Sequence, residues 1–225
     1  MFATLLLASF ALVAAQVQDP EISLSRGLYL DNPEKSGEAR LLVNIPLERM
    51  PSPKVSPLNK WEFPFMVAGY VREAEGGDML LRFRVYHQRN REEGEPGPYV
   101  ARTLLRLWDF NHRSLKLDHS LQYNKRIVDV YLAWGGPRAG GEHRFDVDSE
   151  GGQERKVNTI YIYRLDSFTD PVEMAREIAH EYGHHIQNLT GVLGQIQSAQ
   201  SQNRRAANQL QVLVELQADC YAGVW

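Results

Sequence analysis

The chain has 225 residues, with 25 Lys and Arg against 28 Asp and Glu, a formal net charge of -3 and 43% hydrophobic residues. This composition is typical of a folded soluble protein and unlike that of a disordered tail. With a sequence pI of about 6.2 there is no excess of basic groups to bind a phosphate backbone, so we expect no nucleic-acid partner. The single cysteine, Cys220, excludes an internal disulfide framework and a thiolate metal cluster. Any metal site must therefore use His and carboxylate side chains.

The N-terminus has the pattern of a secretory signal. Residues 1–15 are mostly apolar, contain no charged side chain and end in the small residues Ala14 and Ala15. We expect cleavage before Gln16, a secreted or periplasmic protein and no membrane contact after cleavage. The alternative is membrane anchoring through an uncleaved N-terminal segment, although the apolar run is shorter than the roughly 18 residues of a spanning helix. In an oxidising compartment Cys220 would be an unpaired thiol, which we expect to be inert because it is buried.

The next part of the chain predicts an arm, a hairpin and a helix. Residues 16–60 are rich in Pro and polar side chains, which indicates an extended arm laid over a core. Trp61–Arg72 and Met79–His87 are predicted strands separated by a Gly-containing turn, and together they form a hairpin. Apolar residues then recur at helical spacing between residues 100 and 111, which predicts a helix packed on the sheet.

Three more segments are predicted before the C-terminal helices. Ile127–Trp134 is typical of a buried strand, and Pro137–Gln153 is typical of a Gly-rich acidic loop. Val157–Tyr163 alternates as a strand, with Tyr161 and Tyr163 on the same face. The sheet is therefore expected to precede the helical part of the chain.

One helix is marked by strong local signals. Asp170 can cap it, Pro171 suits its first position, and Glu173 completes an Asp-x-x-Glu capping pattern. Apolar residues follow at helical spacing until Gly191 ends the helix. A Gln- and Ser-rich connection then leads to a last amphipathic segment, Asn203–Val224.

The capped helix carries the pattern His-Glu-x-x-His at residues 180–184. His180 and His184 are four residues apart on one helical face, so both imidazoles can reach one ion. Glu181 points beside them, where a carboxylate can take a proton from metal-bound water. The pattern predicts a zinc site with Glu181 as a general base.

A catalytic zinc site typically has three protein ligands, and the His pair leaves one to be found. The metzincin pattern is excluded, because Gln187 and Thr190 stand where that pattern has Gly and His. The other solution is a carboxylate from a later helix. Glu215 and Asp219 lie four residues apart on one helical face, so Glu215 can bind the metal while Asp219 accepts the free N–H of a ligand His.

The two segments that carry these residues resemble a known family. EIAHEYGHHIQNLTG (177–191) and LQVLVELQADCYAGVW (210–225) are similar to the signature segments of the neutral zinc metallopeptidases of bacteria, a gluzincin-like group of zincins. The resemblance implies one Zn²⁺ per chain. It implies His180, His184 and Glu215 as the ligands and Glu181 as the catalytic base.

The expected fold is α+β and zincin-like. It has a twisted, mostly antiparallel sheet, an active-site helix and a C-terminal helix that carries the third zinc ligand. Residues 61–225 are expected to form this metallopeptidase domain, and the resemblance leads us to expect more protein after Trp225.

The resemblance also implies where a substrate is held. The predicted strand Val157–Tyr163 is similar to the edge strand that aligns a peptide in zincins by strand addition. Tyr161 and Tyr163 are therefore expected to contact a peptide or protein substrate. An oxyanion donor is also needed, and Tyr161, Tyr163, His143 and His185 are candidates by residue type.

We expect a secreted metallopeptidase that hydrolyses peptide bonds with a zinc-bound water and Glu181 as general base. The alternative is a non-catalytic secreted zincin-like protein that uses zinc for structure or partner binding. A structural site needs no base and is closed by a fourth protein ligand, so those two features separate the hypotheses. A third hypothesis, a binding module with an empty site, predicts no zinc. The substrate, the choice between endo- and exopeptidase, and the oligomeric state remain open.

Overall fold

The computed structural model describes residues 37, 39–47, 62–72, 76–88, 96–116, 127–136, 138–148, 155–165, 168 and 170–225. The predicted signal peptide and most of the predicted arm lie outside these ranges. In the part of the chain that is described, no helix combines the length and the apolar character needed to cross a bilayer.

In the described part of the chain, six strands form one open sheet: β1 Ala39–Pro46, β2 Phe65–Arg72, β3 Met79–His87, β4 Val128–Leu132, β5 Gly140–Asp148 and β6 Arg155–Tyr163. Their order across the sheet is β1-β2-β3-β4-β6-β5. The outer pairings β1–β2, β2–β3 and β6–β5 are antiparallel, whereas β4 runs parallel to both β3 and β6. The sheet is therefore mixed. Three of its five pairings are antiparallel, but the parallel pairings on both sides of β4 were not expected.

Among the described residues, four α-helices accompany the sheet: α1 Pro96–Asp109, α2 Pro171–Leu189, α3 Val192–Gln202 and α4 Ala207–Val224. α1 ends in a π-helical turn, Phe110–Ser114. Because α1 lies between β3 and β4 in the chain, it provides the crossover that a parallel pair of strands requires.

Several predicted elements are confirmed. The hairpin forms from β2 and β3, with Val67 opposite Val85. α2 begins as expected, because the side chain of Asp170 accepts a hydrogen bond of 2.8 Å from the backbone N–H of Val172. β4 and β6 also form where strands were predicted, and all five residues of β4 are buried.

Other predictions about these elements are wrong or incomplete. The Gly-rich segment Pro137–Gln153, predicted as a loop, contains β5. The predicted Gln- and Ser-rich connection forms helix α3, which Gly191 separates from α2 with a φ of +77°. Within the predicted arm, Ala39–Pro46 forms β1 and pairs with β2.

The main core lies between one face of the sheet and helices α1, α2 and α4. Val85, Val130 and Ile160 of the three central strands belong to one fully buried cluster with Leu104 of α1 and Ile178 of α2. Fully burying a side chain of this size contributes about 1.5–3 kcal/mol. This cluster therefore holds α2 firmly against the sheet.

The opposite face of the sheet carries stacked tyrosines. The ring centroids of Tyr86 and Tyr131 are 4.8 Å apart, and those of Tyr131 and Tyr161 are 5.4 Å apart. Side chains alternate between the two faces of a strand, so these rings point away from the face on which α2 packs.

Candidate metal centre and its cleft

Three predicted ligands come together where α2 meets α4. The Nε2 atoms of His180 and His184 each lie 3.3 Å from Oε2 of Glu215. One ligand atom from each of the three residues lies within 4.8 Å of the others. Two imidazole nitrogens and one carboxylate oxygen form the His₂Glu donor set of catalytic zinc sites, so these residues fit a zinc ion chemically.

The predicted partner of a ligand histidine is also close. Nδ1 of His180 lies 2.9 Å from Oδ1 of Asp219. A carboxylate can only accept, so this contact places a proton on Nδ1 of His180. Nε2 of the neutral ring then carries no proton and keeps the lone pair that a metal ligand requires.

A glutamine that the sequence reasoning missed orients the third residue of the group. Gln211 donates from Nε2 to Oε1 of Glu215 at 2.7 Å, which leaves Oε2 for the two histidines. Gln200 of α3 donates in turn to Oε1 of Gln211 at 3.3 Å and to the backbone oxygen of Ala207 at 3.2 Å. Gln211 lies one turn before Glu215, a spacing too common in helices to have identified it.

A second missed glutamine occupies one of the positions that excluded the metzincin pattern. Oε1 of Gln187 lies 2.9 Å from Nδ1 of His184. Its Nε2 donates to the backbone oxygen of Val214 at 2.7 Å and to Oε1 of Gln217 at 3.0 Å. Gln187 therefore connects a candidate ligand on α2 to the helix that carries Glu215.

Glu181 is buried beside the group, with 4% of its surface exposed. It accepts a hydrogen bond from the backbone N–H of His143, while its Oε2 has no hydrogen-bond partner among the described residues. Burial, followed by the charges of Glu177, Glu215 and Glu142, raises the pKa of Glu181 to about 8. A nearby cation would oppose this shift by favouring the charged form.

Two glycines of β5 make room for the acidic side chains of α2. A Cβ at Gly141 would lie 2.6 Å from Cγ of Glu181, and the backbone N–H of Gly141 donates to Oε1 of Glu177. Gly140 has a φ of +117°, and a Cβ there would lie 3.1 Å from the same oxygen of Glu177. The glycine pair that suggested a loop is thus what allows a strand to pack closely on α2.

A cleft of about 780 Å³ opens beside the three ligand atoms. Residues 138–144 form one wall without interruption, so the cleft follows the backbone at the start of β5. The other wall comes from α3 and α4 and includes Gln197, Gln200 and Gln211. In the described sheet β5 is the outermost strand, so its second edge is not paired with another described strand.

The structure contradicts the edge-strand position from which substrate contacts of Tyr161 and Tyr163 were expected. Strand β6 lies between β4 and β5, so it is not an edge strand, and both tyrosines are buried on the sheet face opposite α2. Tyr163 reaches the cleft wall indirectly, by donating to Oε2 of Glu142 at 3.1 Å. Of the other candidate oxyanion donors, His143 lines the cleft, whereas His185 is buried and outside the cleft lining.

Residues 167–225 match the family described as "Putative neutral zinc metallopeptidase". This match confirms the family resemblance predicted from the sequence, and it includes α2, α3 and α4. Uncharacterized proteins of Mycobacterium tuberculosis strain H37Rv and Mycobacterium bovis are each 60% identical over 66 residues, which cover 29% of this chain and 21% of the relative. The uncharacterized protein YpfJ of Escherichia coli K12 is 51% identical over 49 residues, which cover 21% of this chain and 17% of that protein.

The chain therefore spans about a fifth of the length of the curated relatives it matches. No solved structure matches the chain. The family description implies zinc, and His180, His184 and Glu215 are the group of described residues suited to hold it.

Proposed function

We propose that the chain is a zinc-dependent peptidase that holds one Zn²⁺ with His180, His184 and Glu215. The observation that carries the proposal is the convergence of three ligand atoms within 4.8 Å beside the buried carboxylate of Glu181. The family description favours zinc and peptide-bond hydrolysis. Zinc bound there supplies a Lewis acid that polarises the scissile carbonyl and makes a water molecule easier to deprotonate.

Glu181 is the proposed general base. Its carboxylate takes a proton from the attacking water and passes it to the nitrogen of the leaving amine. The hydrogen bond from the backbone of His143 holds one end of this carboxylate, and Oε2 is left for proton exchange. Asp219 and Gln211 act on the ligands themselves, because they hold the rings and oxygens in place.

The proposed substrate is an extended peptide segment. A peptide lying along residues 138–144 can pair with the backbone of β5 by strand addition. In this proposal the backbone of β5 performs the aligning role that the sequence suggested for Tyr161 and Tyr163.

The ligand count disfavours a structural zinc site. The group has three members among the described residues, and a cleft opens beside it. Structural zinc sites are instead closed by four protein ligands. The arrangement therefore supports catalysis over a purely structural or partner-binding use of zinc.

We also propose that the protein is exported, on the basis of the apolar, charge-free residues 1–15. N-terminal sequencing of the mature protein from its native host tests this. A chain that begins at Gln16 is expected, and a chain that retains residues 1–15 would favour membrane anchoring.

Zinc analysis and a peptidase assay test the proposed function. After dialysis against metal-free buffer we expect one zinc per chain, with less retained by Glu215→Ala. Glu181→Gln is expected to retain zinc but to lose about 10²–10⁴-fold in kcat/KM on a mixed peptide library, the usual contribution of a general base. Unchanged activity in Glu181→Gln would refute the role of that residue, and an unmutated chain without zinc would refute the metal site.

A further inference from the structure

The amide of Gln187 is enclosed between α2 and α4. The residue is 0% exposed, and both ends of its amide have partners. The oxygen faces Nδ1 of His184 at 2.9 Å, and the nitrogen faces the backbone oxygen of Val214 at 2.7 Å and Oε1 of Gln217 at 3.0 Å. A buried side chain with this set of contacts has one arrangement that satisfies all of them.

The backbone of α4 determines which way this amide points. The carbonyl oxygen of Val214 can only accept a hydrogen bond, so the atom of Gln187 that faces it must be the amide nitrogen. The amide oxygen then faces His184, and that oxygen also can only accept. Nδ1 of His184 must therefore carry the proton.

A proton on Nδ1 leaves Nε2 of a neutral imidazole with its lone pair. This matters because Nε2 of His184 lies 3.3 Å from Oε2 of Glu215. If the proton moved to Nε2, His184 would donate it to Glu215, and this hydrogen bond would compete with metal binding. The contact with Gln187 opposes that tautomer.

We infer that Gln187 is a positioning residue that keeps His184 in its metal-binding tautomer whenever α4 is packed on α2. The inference rests on the proposed metal site and adds to it a residue that does not touch the metal. The contacts that fix the tautomer of His184 begin at the backbone carbonyl of Val214 on α4. The helix that carries Glu215 therefore also fixes the tautomer of His184. Packing of α4 on α2 thus places Glu215 and sets the tautomer of His184 at the same time.

This inference is tested by titrating the full chain with Co²⁺ and recording its visible absorption. The Zn²⁺ affinity is then measured by letting Zn²⁺ displace the bound Co²⁺. Gln187→Met keeps the volume but loses all three polar contacts, and it is expected to weaken metal binding about 10–100-fold and to alter the Co²⁺ spectrum. Gln187→Glu retains an oxygen for His184, and its carboxyl O–H can donate to the carbonyl of Val214 in place of the amide. It is expected to bind Co²⁺ within about threefold of the unmutated chain or more tightly, since an acceptor on the far nitrogen of a ligand His sustains its basicity.

Asn188→Leu is the matched control. Asn188 is buried on the same helix and donates to Oδ1 of Asn158 at 3.1 Å. Its replacement removes a buried amide that bonds to strand β6. Thermal unfolding of the metal-free chain is expected to show comparable destabilisation in Asn188→Leu and Gln187→Met, with the Co²⁺ affinity weakened only in the latter.

Each outcome is decisive. Equal weakening of Co²⁺ binding in Gln187→Met and Asn188→Leu would show that Gln187 acts only through general stability, and would overturn the inference. Equal weakening in Gln187→Glu and Gln187→Met would also overturn it, because the acceptor would then be irrelevant. An unmutated chain that binds neither Co²⁺ nor Zn²⁺ would overturn the proposed metal site as well, whereas unchanged binding in Gln187→Met would refute the inference alone.

Discussion

Gly183 and Ala218 lie against each other where α2 packs on α4. A Cβ at Gly183 would be 3.0 Å from both Cα and the carbonyl oxygen of Ala218. Ala218 is completely buried and follows Glu215 by three residues on α4. The absence of a side chain at position 183 therefore sets how near Glu215 comes to the two histidines of α2.

Replacement of Gly183 by Ala is expected to push α4 away from α2. Ala favours a helix by up to about 1 kcal/mol over Gly, but forcing atoms into a packed contact costs about 1–3 kcal/mol. We expect lower thermal stability and weaker zinc binding in Gly183→Ala. Gly223→Ala is the control, since a Cβ at position 223 of α4 would have nothing within 4 Å. A more stable Gly183→Ala protein with unchanged zinc affinity would contradict the prediction.

Replacement of Gly141 by Ala is expected to displace Glu181. The new Cβ would lie 2.6 Å from Cγ and 2.8 Å from Oε1 of that residue. Zinc should remain bound while kcat/KM falls, because the base moves and the ligands do not. Gly194→Ala, within α3 and with nothing within 4 Å of a Cβ, should leave kcat/KM unchanged. The idea fails if the two variants hydrolyse peptides equally well.

Loss of Asp219 is expected to weaken zinc binding. Asp219→Ala removes the acceptor 2.9 Å from Nδ1 of His180, and such partners typically contribute 10–100-fold to metal affinity. Because 57% of the Asp219 side chain is exposed, we expect about tenfold, the lower end of that range. Isothermal titration with zinc measures it, and the same loss in the neighbouring variant Cys220→Ser would argue against a specific role.

The cysteine itself gives a direct prediction. Cys220 was expected to be buried, but it is exposed on α4. The native protein should therefore react with a thiol reagent such as DTNB nearly as fast as the denatured chain does. Protection of the thiol until the protein unfolds would show that this surface of α4 is covered in solution.

A largely buried ion pair outside the cleft lining is expected to control stability. Arg84 donates two hydrogen bonds of 2.6 Å to the carboxylate of Asp129. Burial opposes the charge of Arg84, but the charge and hydrogen bonds of Asp129 outweigh it and raise the pKa of Arg84 above its usual value.

Asp129→Ala should therefore destabilise the protein by up to about 3–5 kcal/mol, because it leaves a largely buried charge without its main counter-ion. The double variant Arg84→Met/Asp129→Leu should recover much of this loss. Urea unfolding of both variants provides the comparison. A double variant less stable than Asp129→Ala would contradict this account.

Helix α2 could be predicted because its signals are local. The Asp170 cap, Pro171 and the four-residue spacing of His180 and His184 are properties of one continuous segment, and they determine the helix and its metal-binding face. The pairing of Glu215 with those histidines followed from the chemical requirement for a third ligand.

The sheet edge and the glutamines were not predictable in the same way. Gly140 and Gly141 suggest a loop until the side chains of α2 are known to lie against them, and the interior position of β6 depends on where β5 pairs. Gln187 and Gln211 are not metal ligands by type. Their importance arises from contacts between helices, which spacing along one helix does not reveal.

The metal-binding group and the strand wall of the cleft occupy separate stretches of the chain. All three ligand residues and the side chains that orient them lie within residues 167–225, the segment that matches the family, whereas the strand wall is formed by residues 138–144 outside it. Under the proposed function, sequence changes in that wall would alter which peptides fit without disturbing the ligands. If the proposed function holds, proteins that share the helical segment would share one hydrolytic chemistry and differ in the peptides that they cleave.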